Sequence, residues 1–454
     1  MPLDPKPSRG ERSLLRAGIL LQNPSALTDL DSSRNERLSF ALWSILALLF
    51  LSIFISYIDR GALSIAAPTL EHEFSIPPAQ LGILLSAFFW TYTPSLILSG
   101  WLADRFPAGK ILAIGFAIWS ASTFFTGFSR GFALLLACRL FLGIGESAAY
   151  PCFANILVRH FPDRHRGFAN AFINTGVCAG PAFGLLLGGL LMQRYGWRNY
   201  FLALGAAGFL WLPFWLWRTP RPQQNEISAL ESRSETLRSA AQSESAPGIA
   251  AILLTRSAWG TFLGHFGGNY FLYFLLTWLP YYLVHERQFS LVTMGKIGAL
   301  AYGFMAAVAL VTGYASDRLI ESGRSVSLVR KSMIGFGQAF GGIALAICAI
   351  AGTRESIFLL LIAAGAYGFN ISNVWVIPQI LAGPRATGRW TGLQNFIGNI
   401  AGISAPVITG LLVQHTGTFL YAFLLAGLMS VLGAVSWIFL LGPLERTKWG
   451  NAPA

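Results

Sequence analysis

Charge is what this sequence has least of. Asp, Glu, Lys and Arg together make up 11% of its 454 residues, where a soluble domain carries roughly 25%. So few charges cannot clothe a water-facing surface, which excludes an ordinary soluble domain. Cysteine is scarcer still. Cys138, Cys152, Cys178 and Cys348 all fall in apolar runs and show no paired metal spacing, so they are expected to pack rather than to form disulfides or ligate a metal. Neither a Walker loop nor a dinucleotide fingerprint is present, which leaves no ATP motor. No cofactor, no metal and no enzymatic reaction are expected. The first 40 residues are polar and basic and hold no apolar core followed by a small-residue cleavage site. No signal peptide is expected there, and the first span would direct the chain to the membrane.

What is present is apolar surface in long runs. Hydrophobic residues make up 54% of the chain and aromatics 14%. A spanning helix needs about 20 mainly apolar residues. Twelve such segments are expected, at 41–68, 79–102, 109–128, 131–157, 167–192, 198–217, 257–284, 292–315, 330–351, 356–380, 388–413 and 418–441. A polar stretch at 219–255, rich in Ser, Gln, Glu and Arg, separates them and cannot bury enough surface to fold alone; the part from Glu226 to Arg238 suits a surface helix. The expected organisation is a tail at 1–40, a six-helix bundle at 41–218, a cytoplasmic linker at 219–255, a second six-helix bundle at 256–442 and a tail at 443–454.

The formal charge of +12 reflects topology rather than nucleic-acid binding. On one side of the twelve spans fall only Arg130, Arg194, Arg198, Arg287, Lys296 and Arg354, and Arg60 and Arg139 fall inside spans. The rest of the 32 Lys and Arg lie on the side of the termini. By the positive-inside bias both termini and the linker belong in the cytoplasm, and the chain in the inner or plasma membrane.

Two motifs half a chain apart share one pattern, Gly-x-x-x-Asp-Arg. They are Gly100-Trp-Leu-Ala-Asp104-Arg105, followed by Phe-Pro-Ala-Gly-Lys110, and Gly313-Tyr-Ala-Ser-Asp317-Arg318. Each ends a long apolar run. These loops resemble the repeated signature of the major facilitator superfamily. Tyr57-Ile-Asp59-Arg60, Phe88-Phe-Trp-Thr-Tyr92-Thr, Arg139-Leu-Phe-Leu-Gly143-Ile-Gly-Glu146-Ser-Ala-Ala-Tyr-Pro151 and Gln394-Asn395-Phe-Ile-Gly-Asn399-Ile-Ala-Gly402 resemble its anion:cation symporter branch. That branch includes bacterial sugar-acid permeases and the sialic-acid and vesicular glutamate carriers. The resemblance covers 40–440. It implies an all-α membrane protein of twelve transmembrane helices in two pseudo-symmetric six-helix bundles, rocking about a central site. The chain departs from the pattern at Pro107-Ala108-Gly109-Lys110, where the family commonly has Gly-Arg-Arg or Gly-Arg-Lys. It departs also at Val376-Ile-Pro378-Gln379 after Trp375, and at Pro94.

Asp59, Arg60, Arg139 and Glu146 are ionisable residues within spans. Each costs around 2.5–3.5 kcal/mol near the bilayer centre on insertion scales, which calls for partners or a water-filled cavity. Arg139 and Glu146 share a helix face but lie about 10.5 Å apart along its axis, too far to pair. Asp59 should sit level with Arg139 and turn toward span four, on a stripe with Ser56 and Leu63. Arg60 should share its stripe with Tyr57 and Ser64. A guanidinium grips carboxylate bidentately and keeps its proton, whereas a membrane carboxylate can titrate. The second half offers neutral groups: His265, Asn269 and Tyr273; Asn370, Ser372, Asn373 and Trp375; and Asn395 and Asn399. These suit sugar hydroxyls or helix–helix contacts equally, and the resemblance favours Asn395 as a ligand contact.

The expected substrate contacts are therefore Tyr57, Arg60, Tyr92, Ser372, Trp375 and Asn395. Asp59, Glu146 and Arg139 are the expected proton-coupling set. Gly100, Asp104, Arg105, Gly313, Asp317 and Arg318 are the expected gating residues, with Asp104 latching one half to the other. Together they describe a monomeric carrier, surrounded by lipid, that imports an organic anion (a sugar acid or related carboxylate) by proton symport, with sodium less favoured. A proton-coupled exporter of drugs or metabolites is the alternative, although its cavity would be acidic without a central Arg. A non-transporting sensor or scaffold would be expected to carry an appended soluble domain, which the sequence does not show.

Overall fold

Backbone polar groups in hydrocarbon must be satisfied within the chain, and this chain does so with helices. The computed structural model describes residues 39–161, 163–218, 247–447 and 449. Most of the expected linker, with its helix from Glu226 to Arg238, and most of the expected terminal tails lie outside them. The described residues form α1 (Phe40–Phe74), α2 (Pro78–Arg105), α3 (Ala108–Thr126), α4 (Phe132–Glu146), α5 (Ala149–His160), α6 (Asp163–Arg218), α7 (Ile249–Leu253), α8 (Arg256–Tyr281), α9 (Leu291–Glu321), α10 (Val326–Cys348), α11 (Thr353–Ile371), α12 (Val376–Thr416) and α13 (Leu420–Val435). Single π-turns follow α8 and α13. Ten stretches are long and apolar enough to cross a membrane. One of these is divided by a kink at Gly196, whose φ of 80° suits glycine alone. With the 26-residue α8 added, each of the twelve expected spans has a helical counterpart.

Proline places two breaks that the spans alone did not suggest. Span four is interrupted at Ser147–Ala148, between α4 and α5. Pro151 lacks an N–H for the Ser147 carbonyl and its ring crowds that group. Span ten is interrupted at Ser372–Trp375, between α11 and α12. Pro378 likewise frees the Val374 carbonyl, and the buried Gln394 supplies the missing donor, its Nε2 lying 3.2 Å away.

Contacts divide the chain into Met1–Ile45 and Leu46–Ala454; the packing described here is that of the second unit. In the first half α2 and α3 both pack on α4, and α3 also packs on α6. In the second half α8 packs on α12 and α13, α10 on α11 and α13, and α9 on α11. The halves meet through two pairs, α2 with α12 and α6 with α9. Glycine makes both approaches close. A Cβ at Gly82 would strike the Pro406 carbonyl, one at Gly410 the Pro78 carbonyl, and one at Gly295 the Leu185 carbonyl. The Ala79 N–H donates to Gln414 Oε1 at 3.1 Å, the Val292 N–H to Gln193 Oε1 at 3.2 Å, and the Tyr281 hydroxyl to Glu71 Oε2 at 2.7 Å. All of these lie at the end where α1 finishes and α2 begins. Toward the other end, Gly100 of α2 and Gly388 and Gly392 of α12 have open space around them. Among the described residues, the halves are closed at the first of these ends.

The atoms facing Gly82 and Gly410 are backbone, which cannot swing away. Gly410→Val is therefore expected to hold the closed end apart. Oxidative cross-linking of an Ala79→Cys, Gln414→Cys pair measures this. The pair should link readily alone and lose most of its linking when Gly410→Val is added; equal linking in both would show that the close approach is dispensable.

Candidate functional site

The site grows from one turn of α1. Ser56 and Arg60 are four residues apart and so share a face. Both reach Glu146, the last residue of α4. Arg60 Nε donates to Glu146 Oε2 at 2.8 Å and the Ser56 hydroxyl to the same oxygen at 2.7 Å. The side chains of Arg60 and Glu146 are 6% and 0% exposed, so this is a buried ion pair. Pro151 ends α4 immediately beyond Glu146, which leaves the carboxylate at a helix end rather than on a helix flank.

Three rings close around the guanidinium. Its Cζ lies 4.7 Å from the Tyr57 ring centre, 4.6 Å from Phe88 and 4.8 Å from Tyr92. Gly143 brings the α2 rings this near: a Cβ there would strike the Phe88 carbonyl and the Thr91 hydroxyl, and that hydroxyl donates to the Leu140 carbonyl at 2.7 Å. A cation facing rings out of water gains about 2 kcal/mol. Nε is the nitrogen that meets Glu146, and the Tyr92 hydroxyl lies within hydrogen-bonding reach of the same guanidinium.

Asp59 turns the other way, as expected. It shares with Arg139 a cavity of about 10 Å³, lined also by Ser122, Thr123, Thr126, Cys138, Leu142 and Phe201. That is room for about one water. Asp59 and Arg139 are 3% and 6% exposed, yet among the described residues no ion pair joins them. Asp59 Oδ1 has no hydrogen-bond partner, nor has Glu146 Oε1.

The second half brings neutral groups to the same level. The Tyr273 hydroxyl donates to Asn399 Oδ1 at 2.8 Å, and Asn399 Nδ2 donates to Asn395 Oδ1 at 3.2 Å. The Tyr273 ring lies 4.5 Å from Phe89, whose neighbours Phe88 and Tyr92 face Arg60. Gly402 makes room for Phe89. Trp375 is 38% exposed and rests edge-on against His265, 5.0 Å between centres. His265 Nε2 meets Asn269 Nδ2 at 3.2 Å. Ser372 is half-buried, 3.1 Å from the Thr312 hydroxyl. Asn370 is consumed by packing: its Oδ1 accepts from Gln338 Nε2 at 3.0 Å.

The expected gating residues separate. In the second copy, Asp317 Oδ1 meets Arg330 NH2 at 3.1 Å, which is a contact within its own half. Arg318 Nε donates to the Tyr314 hydroxyl at 2.9 Å, with Glu321 nearby. Gly313 lies against Ser372. In the first copy, Arg105 lies over Trp101 at 5.5 Å, and the Asp104 side chain lies outside the described residues.

Sequence reasoning sets Ser56 on a stripe with Asp59 and leaves Arg60 facing the substrate with Tyr57, without a partner on α4. The structure corrects this: Ser56 and Arg60 converge on Glu146. The four-residue spacing from Ser56 to Arg60 was the available signal. Among the described residues no group of His, Cys, Asp and Glu could hold a metal.

The sequence matches the Major Facilitator Superfamily over residues 49–406. It is 30% identical to the probable galactarate/D-glucarate transporter of Bacillus subtilis, over 89% of this chain and 92% of that protein. It is 28% identical to the D-galactonate transporter of an Escherichia coli strain, over 88% and 96% respectively. The fold is that of the E. coli xylose transporter in its inward open conformation, with TM-score 0.70, 15% identity and coverage of 88% and 96%. The chain belongs to the Major Facilitator Superfamily and is a multi-pass membrane transporter rather than an enzyme. Its relatives agree with the resemblance to the anion:cation symporter branch.

Removing one partner of a buried pair strands the other charge, at about 3–5 kcal/mol. Glu146→Ala and Arg60→Ala should each lower thermal stability by that order in detergent. The double variant should be more stable than the sum of the two losses allows, since neither charge remains stranded. Additive losses would show that the pair does not act as one.

Proposed function

We propose that this superfamily member carries a small organic anion, a sugar acid or related carboxylate, together with protons, by alternating access. One observation carries the reading: a buried guanidinium near the junction of the halves, which meets Glu146 through Nε and faces Tyr57 and Tyr92 with its outer fork. A guanidinium presents parallel N–H groups that match a carboxylate, and it stays charged. Tyr57, Arg60 and Tyr92 form the charged side of the site. Ser372, Trp375 and Asn395 form the side that hydrogen-bonds hydroxyls. The relatives are named as a probable galactarate/D-glucarate transporter and a D-galactonate transporter, which fits such a division. A carrier of cations has no use for a guanidinium here.

Coupling follows from charge balance. With no ligand, Arg60 and Glu146 neutralise each other. An arriving carboxylate would leave two anions on one guanidinium, so ligand and a proton enter together, and Glu146 accepts the proton. Asp59, beside Arg139 in the neighbouring cavity, is the second acceptor. The basic bias of the loops sets the termini and the linker at 219–255 in the cytoplasm of a plasma-membrane protein. The closed end then faces outward, and the structure is the inward-facing state of a monomeric importer. The two motif copies, at the ends of α2 and α9, gate the cytoplasmic end.

Two measurements test this. Arg60→Ala should abolish binding of galactarate and D-galactonate, and Arg60→Lys should restore little, since an ammonium lacks the fork. Undiminished affinity in folded Arg60→Ala protein would remove Arg60 from the site. In liposomes, Asp59→Asn and Glu146→Gln should lose accumulation driven by a pH gradient while at least one keeps substrate exchange, which need not release the proton. Accumulation equal to wild type in both would leave these carboxylates as a purely structural cluster.

A further inference from the structure

The break between α11 and α12 places Ser372 and Trp375 on a turn that keeps helical dihedrals at both residues and whose backbone amides reach only the Asn370 and Asn373 carbonyls. Side-chain contacts hold it as well. Asn373, in the same turn, is 0% exposed and uses both ends of its amide. Nδ2 donates to the Phe369 carbonyl at 3.1 Å, which ties the turn to the end of α11, and to the Ser372 hydroxyl at 3.0 Å. Oδ1 accepts from Arg330 NH1 at 3.1 Å, which ties the turn to α10. The other fork nitrogen, Arg330 NH2, meets Asp317 Oδ1 at 3.1 Å. Asp317 belongs to the repeated Gly-x-x-x-Asp-Arg motif, and a Cβ at Gly313 of that motif would meet the Ser372 Cβ at 3.6 Å. A continuous polar chain therefore runs from an exposed carboxylate near the end of α9 to a candidate ligand hydroxyl.

The chain fixes a direction as well as a place. Arg330 can only donate, so the Asn373 oxygen must face it and the amide nitrogen must face Ser372. Ser372 Oγ then receives a hydrogen bond and has its own proton to give. The acceptors for that proton are long, the Thr312 hydroxyl at 3.1 Å and the Phe369 carbonyl at 3.3 Å. The Thr312 proton is committed to the Val308 carbonyl at 2.8 Å. Ser372 is thus held as a donor whose proton a ligand oxygen can readily take.

We propose that Asn373, aimed by Arg330 and Asp317, is a positioning residue that sets Ser372 as a hydrogen-bond donor to an oxygen-rich substrate. This rests on the anion reading above for what Ser372 donates to. It assigns the second motif copy a role in recognition as well as in gating. Arg330 needs its fork for this, because an ammonium cannot hold Asp317 and the Asn373 amide in one plane.

Binding of galactarate and D-galactonate to purified full-length protein tests the coupling. Ser372→Ala should weaken binding of the probe that wild type takes by about tenfold, the worth of a hydrogen bond of roughly 1.4 kcal/mol. Asn373→Ala and Arg330→Lys should weaken it to a similar degree. Adding Ser372→Ala to either should cost little more, because all three act through one hydroxyl. Losses that multiply in the double variants would overturn the proposal, as would unchanged affinity in folded Asn373→Ala. A second arm needs no ligand. The rate at which a water-soluble methanethiosulfonate labels Ser372→Cys should change several-fold on adding Asn373→Ala or Arg330→Lys, and not on adding Arg354→Lys, an exposed residue at the far end of α11. Equal rates throughout would overturn the positioning role. If wild type bound neither acid, the anion reading would fail and the labelling rates alone would decide the proposal.

Discussion

A charge in hydrocarbon must have a partner, and the Arg60–Glu146 pair is how this chain meets that constraint at its centre. The rest of the site is arranged around the pair. Breaking up a buried pair costs more than forming it gains, so α1 and α4 are tied at this depth. Ser56 adds a second donor to the same oxygen, and three rings cover the flat face of the guanidinium. The rings matter because water cannot solvate that face once the halves close. The four intramembrane charges all lie in the first half, within two helices, and the second half answers with amides, hydroxyls and a buried imidazole.

Glycine and proline decide where the polar groups point. Gly143 draws α2 onto α4 and so delivers Phe88 and Tyr92 to Arg60. Pro151 ends α4 where Glu146 has just emerged. Pro378 opens the α11–α12 turn that carries Ser372 and Trp375, and Gln394 takes up the carbonyl it frees. Each of these residues is cheap to read in a sequence and acts through sterics alone. Their effect at the site is indirect, because they move helices and the helices move side chains.

The helices were legible because hydrocarbon leaves the backbone few alternatives; every expected span has its counterpart, with boundaries shifted by a few residues. The partnership of Arg60 was not legible. Helical periodicity places residues on stripes of one helix, but it does not say which neighbour that stripe meets. The Asp59 direction could be foreseen because Asp59 and Arg139 had been set at one depth. Glu146 had been set deeper, and the length of the Arg60 side chain, which spans that difference, was left out of account. The broken spans escaped for a different reason. Pro151 and Pro378 sit within apolar runs whose hydropathy hides them. Asp317 counts among the expected gating residues without a named partner, and Arg330, from its own half, is the cation within its reach.

The placement of charge has a mechanical consequence. Where the halves touch at the centre, the contacts are a ring pair, Phe89 on Tyr273, and the glycine Gly402 against the same ring. At the closed end, two backbone amides meet side-chain carbonyls and one phenol meets Glu71. Hydrogen bonds of this kind contribute about 1 kcal/mol each, small enough to be exchanged for water as that end opens. No ion pair among the described residues crosses between halves. A swing of one half against the other therefore separates no ion pair among the described residues, with the Glu71–Tyr281 bond the charged contact to be exchanged, while the buried charges travel together on α1 and α4. Had Arg60 found its carboxylate in the second half, every cycle would have had to separate them in a low dielectric, at a cost of several kcal/mol. Keeping both partners on α1 and α4 removes that barrier, and it leaves the balance of charge at the site to be changed only by what enters it.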